Sequence, residues 1–218
     1  EERIGITVGS LLAVGLADII VVDDGSADHT AQAAERAGAR VVKADRNHGK
    51  AWALERGLAE ASGQFVMFLD ADLGATAGEA LALLDPLQQG CDLVIAAFPG
   101  GAQKAGLGIV LGLAAWGVRR YTGQTLAFPL SGQRAMRRDD AQALLPFGHG
   151  FQVELLMNIR ALQLGMHVCE VEVPFMHRRT GRDLKGWLHR GRQAWAIAVA
   201  LIALRGETAR SKRRREVT

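Results

Sequence analysis

The sequence predicts an α/β fold: a mostly parallel, Rossmann-like sheet with helices on both faces and a helical arm at the C-terminal end. Three observations carry this. Short β-branched runs alternate with helical stretches through the first hundred residues, the signature of a parallel sheet. Each run ends in a polar turn rich in Asp, Gly or Asn. Apolar residues make up 49% of the 218 residues, enough to bury one good-sized core.

The elements follow in order. "DIIVVD" (Asp18–Asp23) reads as a strand, "DGSADH" as its turn, and an alanine-rich helix runs to about Gly38. "RVVKA" is the second strand, and Lys50 to Ala61 reads as a helix with Leu54 and Leu58 on one face. The strand Gln64–Leu69 follows. Thr76 with Glu79 three residues on has the form of a capping box, opening a helix that ends before Gly90. "DLVIAA" is a further strand. In the second half, Ala105 to Tyr121 reads as a glycine-rich helix, "LSGQRAMR" as a strand and "DDAQALL" as a short helix. Gln152–Leu164 is a helix stopped by Gly165, and "HVCEVEV" alternates like an edge strand ended by Pro174. Trp187 to Leu204 forms the last helix. Without repeats or an interdomain linker, the chain divides into one domain (1–186), a C-terminal helix (187–206) and a basic, disordered tail (207–218).

The longest uncharged runs, Ala105–Val118 (14 residues) and Ala194–Leu204 (11 residues), fall short of the roughly 20 residues that span a bilayer. "EERIGITVGS" lacks the basic-then-apolar pattern of a signal peptide. The expected location is therefore the cytoplasm, with peripheral contact at the inner membrane face as the variant. Cys91 and Cys169 are expected to be buried free thiols in a reducing compartment. From Arg178 onward, 12 Lys/Arg stand against 3 Asp/Glu, a net +9 that leaves the first 177 residues at −6 within the overall +3. Such a basic end suits phosphates, anionic lipid or nucleic acid. A solvated tail explains "ARSKRRREVT" equally well.

Ligands of parallel α/β sheets sit at the carboxyl ends of the strands. Three polar clusters fall there: Asp23–Ser26 after "IIVV", Asp45–Lys50 after "RVVK", and Asp70–Asp72 after "FVMFL". One such Asp is an ordinary turn former, but three clusters on one edge point to a polar ligand site. Asp70 and Asp72 are spaced to face the same way if the strand geometry continues. Two carboxylates that close repel unless a cation lies beside them, and Mg²⁺ or Mn²⁺ shared with a diphosphate is the matching ligand. The rival reading is two solvated loop aspartates.

"VVDDGSADHT", "RNHGKAWALERGLAEASG" and "FVMFLDADL", followed in order by "PLSGQRAMRR", "LLPFGHGFQVELLMNI" and "VEVPFMHRRTGRD", resemble the nucleotide-sugar glycosyltransferases of family 2, which have the GT-A fold. The similarity covers roughly residues 1 to 195. It is greatest to the glucosyl-3-phosphoglycerate synthases, with some likeness to polyprenyl-phosphate glycosyltransferases. The resemblance implies a metal-dependent transfer of a sugar from a UDP-type donor to an acceptor. In that pattern Asp24 faces the base, where a carboxylate can accept the uracil imide N–H, with Asp23 and Gly25 shaping the turn. Lys50 approaches the diphosphate. Asp70 contacts the ribose or the metal, with Ala71 beside it, and Asp72 ligates the metal directly. His177 supplies a further ligand, and Arg178, Arg179 and Arg182 close over the diphosphate, although a histidine among arginines is also a common surface pattern. Gly132 lets acceptor or sugar approach the backbone. Glu154 is either general base or substrate-binding residue, against a plain helix-dipole role for Glu in a first turn. His149 has no assigned role.

Two departures bear on these expectations. The family's opening strand, which is central in the fold, is not present, and the chain starts about where its glutamate would stand, at Glu1 or Glu2. The resemblance therefore implies further residues ahead of Glu1. The arginine–threonine acceptor motif of phosphoglycerate users is missing from Ala105–Tyr121, which leaves the acceptor open. A polyprenyl phosphate at the membrane is the alternative acceptor, and the two apolar runs also suit a homodimer. A non-catalytic protein holding nucleic acid is disfavoured, because the tail interleaves no aromatic residues and the first half is acidic.

Overall fold

The computed structural model describes residues 1–16, 18–98, 108–148, 150–175 and 195–202. Along the chain come α1 (Glu2–Ala13), β1 (Ile20–Asp23), α2 (Thr30–Arg36), β2 (Arg40–Lys43), α3 (Lys50–Glu60) and β3 (Phe65–Phe68). A 3₁₀ run (Gly74–Leu83) leads into α4 (Leu84–Gln88), then β4 (Leu93–Ala97), α5 (Gly108–Thr122), β5 (Arg134–Arg137) and α6 (Arg138–Ala143). A 3₁₀ turn (Gly150–Gln152), α7 (Val153–Gln163) and β6 (Val168–Glu172) follow. Residues 195–202 form a last helix, α8, inside the expected Trp187–Leu204 span. The expected domain and tail boundaries lie outside the described residues.

The strands form a parallel pair, β1–β2, and a four-stranded sheet of order β3-β5-β4-β6. β4 and β6 run parallel, while β5 lies antiparallel between β3 and β4. The alternation of strand side chains supplies two cores. Val66 and Phe68 of β3, Leu93 and Ile95 of β4 and Met136 of β5 face a cluster completed by α5, α7 and α8. Val94, Ala96 and Ala135 face the opposite cluster under α1, the 3₁₀ run and α4. β4 is buried at every residue, as a strand covered on both faces must be, and its sequence is uninterruptedly apolar for that reason. β6 is an edge, as its alternating pattern predicts.

β1 pairs only with β2, and β3 is the outer strand of the larger sheet, so each presents an unpaired edge within the described structure. Between them lies an apolar cavity of about 630 Å³ reaching from Ile20 and Val22 to Val66 and Phe68, with Lys50 and Asp70 at one end.

Three expectations are corrected. Residues 2–13, assigned no element from sequence, form α1, whose Ile4, Thr7, Val8 and Leu11 are buried at helical spacing. Thr76 opens no capping box: it lies inside the 3₁₀ run, and its Oγ1 donates to the Leu73 carbonyl 2.8 Å away. Cys91 and Cys169 are joined in a disulfide rather than free. The parallel β4–β6 register sets Val94 beside Cys169 and so brings together two cysteines separated by 78 positions in the chain.

Candidate active site

The loops after β1 and β2 are clamped to one another. Asp23 Oδ1 accepts the Ser26 N–H at 2.9 Å, closing an Asx-type turn. Gly25 sits at φ +81°, and a Cβ there would stand 2.9 Å from the main chain of Arg46 and Asn47, so the turn admits only glycine. Asp24 reaches across to the second loop. Its Oδ1 accepts the His48 N–H and its Oδ2 the Gly49 N–H, each at 2.7 Å. Gly49 is the N-cap of α3, so the Asp24 carboxylate also meets the positive end of that helix. The next residue is Lys50.

Lys50 points from the first turn of α3 into a cluster of opposite charge. Its Nζ lies 2.7 Å from Glu154 Oε1 and 3.2 Å from Asp70 Oδ1. Burial acts to lower the lysine's pKa, but attraction to Glu154 and then Asp70 wins, and the ammonium is held above its ordinary value. Glu154 is buried in the first turn of α7 and makes no cap there; its carboxylate is the partner of Lys50. Asp70 Oδ2 accepts from Gln133 Nε2 at 2.5 Å. Gly132 backs the cluster: a Cβ would come within 3.0 Å of Lys50 Nζ and 3.1 Å of both Asp70 oxygens. Beneath it, the buried guanidinium of Arg134 donates to Asn158 Oδ1 and to the Ser131 carbonyl, with burial pushing its pKa down. Two cations and two carboxylates thus share one end of the sheet.

β3 ends at Phe68, and Ala71–Asp72 form a turn, so the strand alternation stops before the acidic pair. The turn is fixed by α1 instead. Thr7 Oγ1 donates to the Ala71 carbonyl at 3.0 Å and accepts the Gly74 N–H at 2.9 Å, while Arg3 Nη1 donates to the Asp72 carbonyl at 3.1 Å. Asp70 is thereby committed to Lys50 and Gln133. The Asp72 carboxylate takes no hydrogen bond or ion pair among the described residues, and its hard oxygens suit a divalent Mg²⁺ or Mn²⁺.

The structure therefore brings together Asp23, Asp24, Gly25, Lys50, Asp70, Ala71, Asp72, Gly132 and Glu154. His149, His177, Arg178, Arg179 and Arg182 lie outside the described residues. Sequence reasoning missed Thr7, Arg3, Gln133 and Arg134. Gln133 and Arg134 follow Gly132 within "LSGQR", and both are buried, whereas nothing local marks Thr7 or Arg3. Three potential metal-binding side chains also gather at Cys91, His167 and Cys169, but at the amino ends of β4 and β6, with the two sulfurs bonded to each other.

Residues 1–145 match the model of "Glycosyl transferase family 2". The chain belongs to this family. Relatives include Glycosyltransferase AglJ of Haloferax volcanii, 30% identical over 192 residues, covering 84% of this chain and 61% of that protein. Another relative, the undecaprenyl-phosphate mannosyltransferase of Micrococcus luteus, is 31% identical over 207 residues, covering 84% of this chain and 82% of its own. An undecaprenyl-phosphate 4-deoxy-4-formamido-L-arabinose transferase of Pseudomonas aeruginosa is 31% identical, with 53% of its length matched. The chain thus spans between about half and three fifths of AglJ and the arabinose transferase. Among solved structures, glucosyl-3-phosphoglycerate synthase of Mycobacterium tuberculosis in complex with phosphoglyceric acid superimposes with a TM-score of 0.75 at 32% identity, over 92% of this chain and 75% of that one. The same enzyme with Mn²⁺, UDP-glucose and phosphoglyceric acid gives 0.72 at 30% identity over the same shares. These likenesses bear out the GT-A fold and the family expected from the motifs.

Proposed function

We propose that the protein is a metal-dependent glycosyltransferase moving a sugar from a nucleotide sugar, of the UDP type, to a small phosphorylated or hydroxyl acceptor. The observation that carries this reading is Lys50, placed by the Asp24-clamped loop between Asp70 and Glu154 at the carboxyl end of β3. The solved family-2 relative that holds Mn²⁺ with UDP-glucose supports a divalent ion and a uridine donor here. When bound, such an ion supplies charge to stabilise the departing nucleotide diphosphate.

The chain's own residues divide the remaining work. Asp72 would offer a carboxylate to such an ion, with Asp70 beside it and His177 as the further ligand that the family resemblance implies. Lys50 would meet the diphosphate, and the family resemblance adds Arg178 as a second cation for it. Each carboxylate oxygen has two acceptor positions, so Asp24 can hold its loop and still accept an imide N–H from the base. Gln133 fixes the orientation of Asp70. Glu154 holds Lys50, and that engagement favours a positioning and substrate-binding role over proton abstraction.

A second reading of the acceptor rests on the Micrococcus relative, named for undecaprenyl phosphate and matched over 82% of its length. In that case the acceptor is a polyprenyl phosphate met at the inner membrane face, which suits a cytoplasmic, peripheral enzyme. No helix among the described residues is long and apolar enough to cross a membrane. The apolar helices also leave a homodimer open.

A thermal-shift screen of nucleotide sugars with Mn²⁺ or Mg²⁺ tests the donor site. A ligand at about 100 times its dissociation constant stabilises the folded state by about 2.7 kcal/mol. A UDP-sugar is expected to raise Tm with the metal and far less without it. Equal shifts with and without metal would overturn the assignment.

A further inference from the structure

We propose that α8 is an interfacial anchor that lays the stripe Trp195, Val199 and Ile202 on an anionic lipid bilayer. The helix has two unlike faces. Ile197, Ala200 and Leu201 are buried in the main core, with Leu201 against Gly117 and its carbonyl accepting from Tyr121 Oη at 2.5 Å, so α8 is fixed to α5. Trp195, Val199 and Ile202, spaced i, i+4, i+7, fall on one outer stripe and remain 73%, 41% and 71% exposed. On α5, Trp116 is 55% exposed one residue from the Gly117–Leu201 contact, and Arg119 and Arg120 at its end are also exposed. Two exposed tryptophans on a packed helix pair are what an interface between water and lipid favours, because the indole buries a large apolar body while its N–H keeps a polar partner.

Charge selects the occupant. Beyond residue 202 the sequence carries Arg205, Arg210, Lys212, Arg213, Arg214 and Arg215 against Glu207 and Glu216. Each basic residue near an anionic bilayer contributes about 1 kcal/mol, and stable anchoring needs two signals, here an apolar stripe and a basic run. A second copy of the chain would bring the same positive charge to the same place. Nucleic acid would use the charge but leave the aliphatic stripe in water. A bilayer uses both, without requiring a span.

The inference rests on this surface. It deepens the lipid-acceptor reading and stands independently of the donor site. The full chain is mixed with vesicles of phosphatidylcholine alone and of phosphatidylcholine with an equal share of phosphatidylglycerol, at low and high salt. Cosedimentation is expected with the anionic vesicles, weakening as salt screens the charge. The double variant W195E/I202E, altered only at exposed positions, is expected to lower the partition coefficient about tenfold or more. Manganese-dependent UDP binding measured in the same samples reports the donor site separately and is expected to be unchanged by the variant. The proposal is overturned if the chain stays in the supernatant, or if the variant sediments as well as the native chain and the basic run acts alone. Light scattering that shows a dimer dissolved by the variant overturns it in favour of self-association.

Discussion

Glu154, buried in the first turn of α7, pairs at 2.7 Å with Lys50, the first residue of α3. A buried carboxylate on one helix is thus neutralised by an ammonium on another, and Asp70 shares the same ammonium at 3.2 Å. Lys50→Met leaves Glu154 without its counter-charge and is expected to destabilise the fold by about 3 kcal/mol and to abolish nucleotide binding. Glu154→Gln keeps the shape and is expected to cost less, about 1–2 kcal/mol. The pH dependence has a definite sign. Because the lysine's pKa is raised in the folded state, its contribution is complete below the ordinary lysine range and is lost as pH rises through the raised value. Removing the Glu154 charge lowers that value, so the alkaline limb of the unfolding profile should move to lower pH in the Gln variant. Denaturant melts from neutral to strongly alkaline pH read this shift.

Gly132→Ala separates site from scaffold. The added methyl would press within 3.0 Å of Lys50 Nζ and 3.1 Å of the Asp70 oxygens, and no positive φ constrains this glycine. The backbone therefore tolerates alanine while the ion pair does not. Titration calorimetry with UDP and Mn²⁺ is expected to show a loss of affinity of about tenfold, equivalent to about 1.4 kcal/mol, with a small fall in Tm as the Lys50–Asp70 pair is displaced. A variant that binds normally would show that the cluster moves aside without consequence.

Thr7 holds the acidic turn from outside. Its hydroxyl donates to the Ala71 carbonyl and accepts the Gly74 N–H, both from the interior face of α1. Thr7→Val keeps the volume but removes both bonds, leaving two partly buried main-chain groups unpaired. Such groups cost about 1–3 kcal/mol together, which chemical denaturation should register. Metal-dependent nucleotide binding should weaken in the same variant, because the turn that carries Asp72 loses its support.

These contacts show which parts of the site are legible in sequence. Asp23–Ser26, Lys50 and Asp70–Asp72 stand at strand ends, where topology alone makes polar residues suspect, and the pairing of Lys50 with Asp70 brings the end of β3 to the loops after the parallel β1 and β2. Thr7 and Arg3 carry no such mark. Their helix contains two glycines and several β-branched residues of weak helical preference, so propensity conceals a helix that the spacing of Ile4, Val8 and Leu11 reveals only once a core exists to receive it. Asp24 illustrates a subtler limit. Its acidity is plain in "DDGS", but that its two oxygens cap the neighbouring loop depends on where β2 delivers His48 and Gly49. The disulfide is hidden for the same kind of reason, since strand register, not cysteine spacing, brings the sulfurs together.

The Cys91–Cys169 bond closes a long loop, with the cysteines 78 positions apart. Chain-entropy arguments put the stabilisation from such a loop at roughly 4 kcal/mol, as an upper figure. Reduction with a phosphine, or Cys91→Ser, is expected to lower the unfolding free energy by up to that amount while leaving nucleotide binding intact, because the bond lies at the amino ends of β4 and β6. If thiol titration of the native protein found two free thiols, the bond would be absent in solution and reduction would change nothing.

Asp72→Ala is the sharpest test of the donor site. The Asp72 carboxylate holds no partner among the described residues, and its main-chain carbonyl, which receives Arg3, survives the substitution. Stability should therefore change by no more than about 0.5 kcal/mol, as for a surface replacement. Binding should change far more. A carboxylate that ligates the ion is required for any metal-dependent part of nucleotide affinity, so the variant should bind UDP equally with and without Mn²⁺. Asp70→Asn offers the contrast: it weakens the pairing with Lys50 and should disturb the Gln133 contact, lowering stability as well as affinity. If instead Asp72→Ala retained the full metal response and Asp70→Asn lost it without loss of stability, the roles of the two acids would be exchanged.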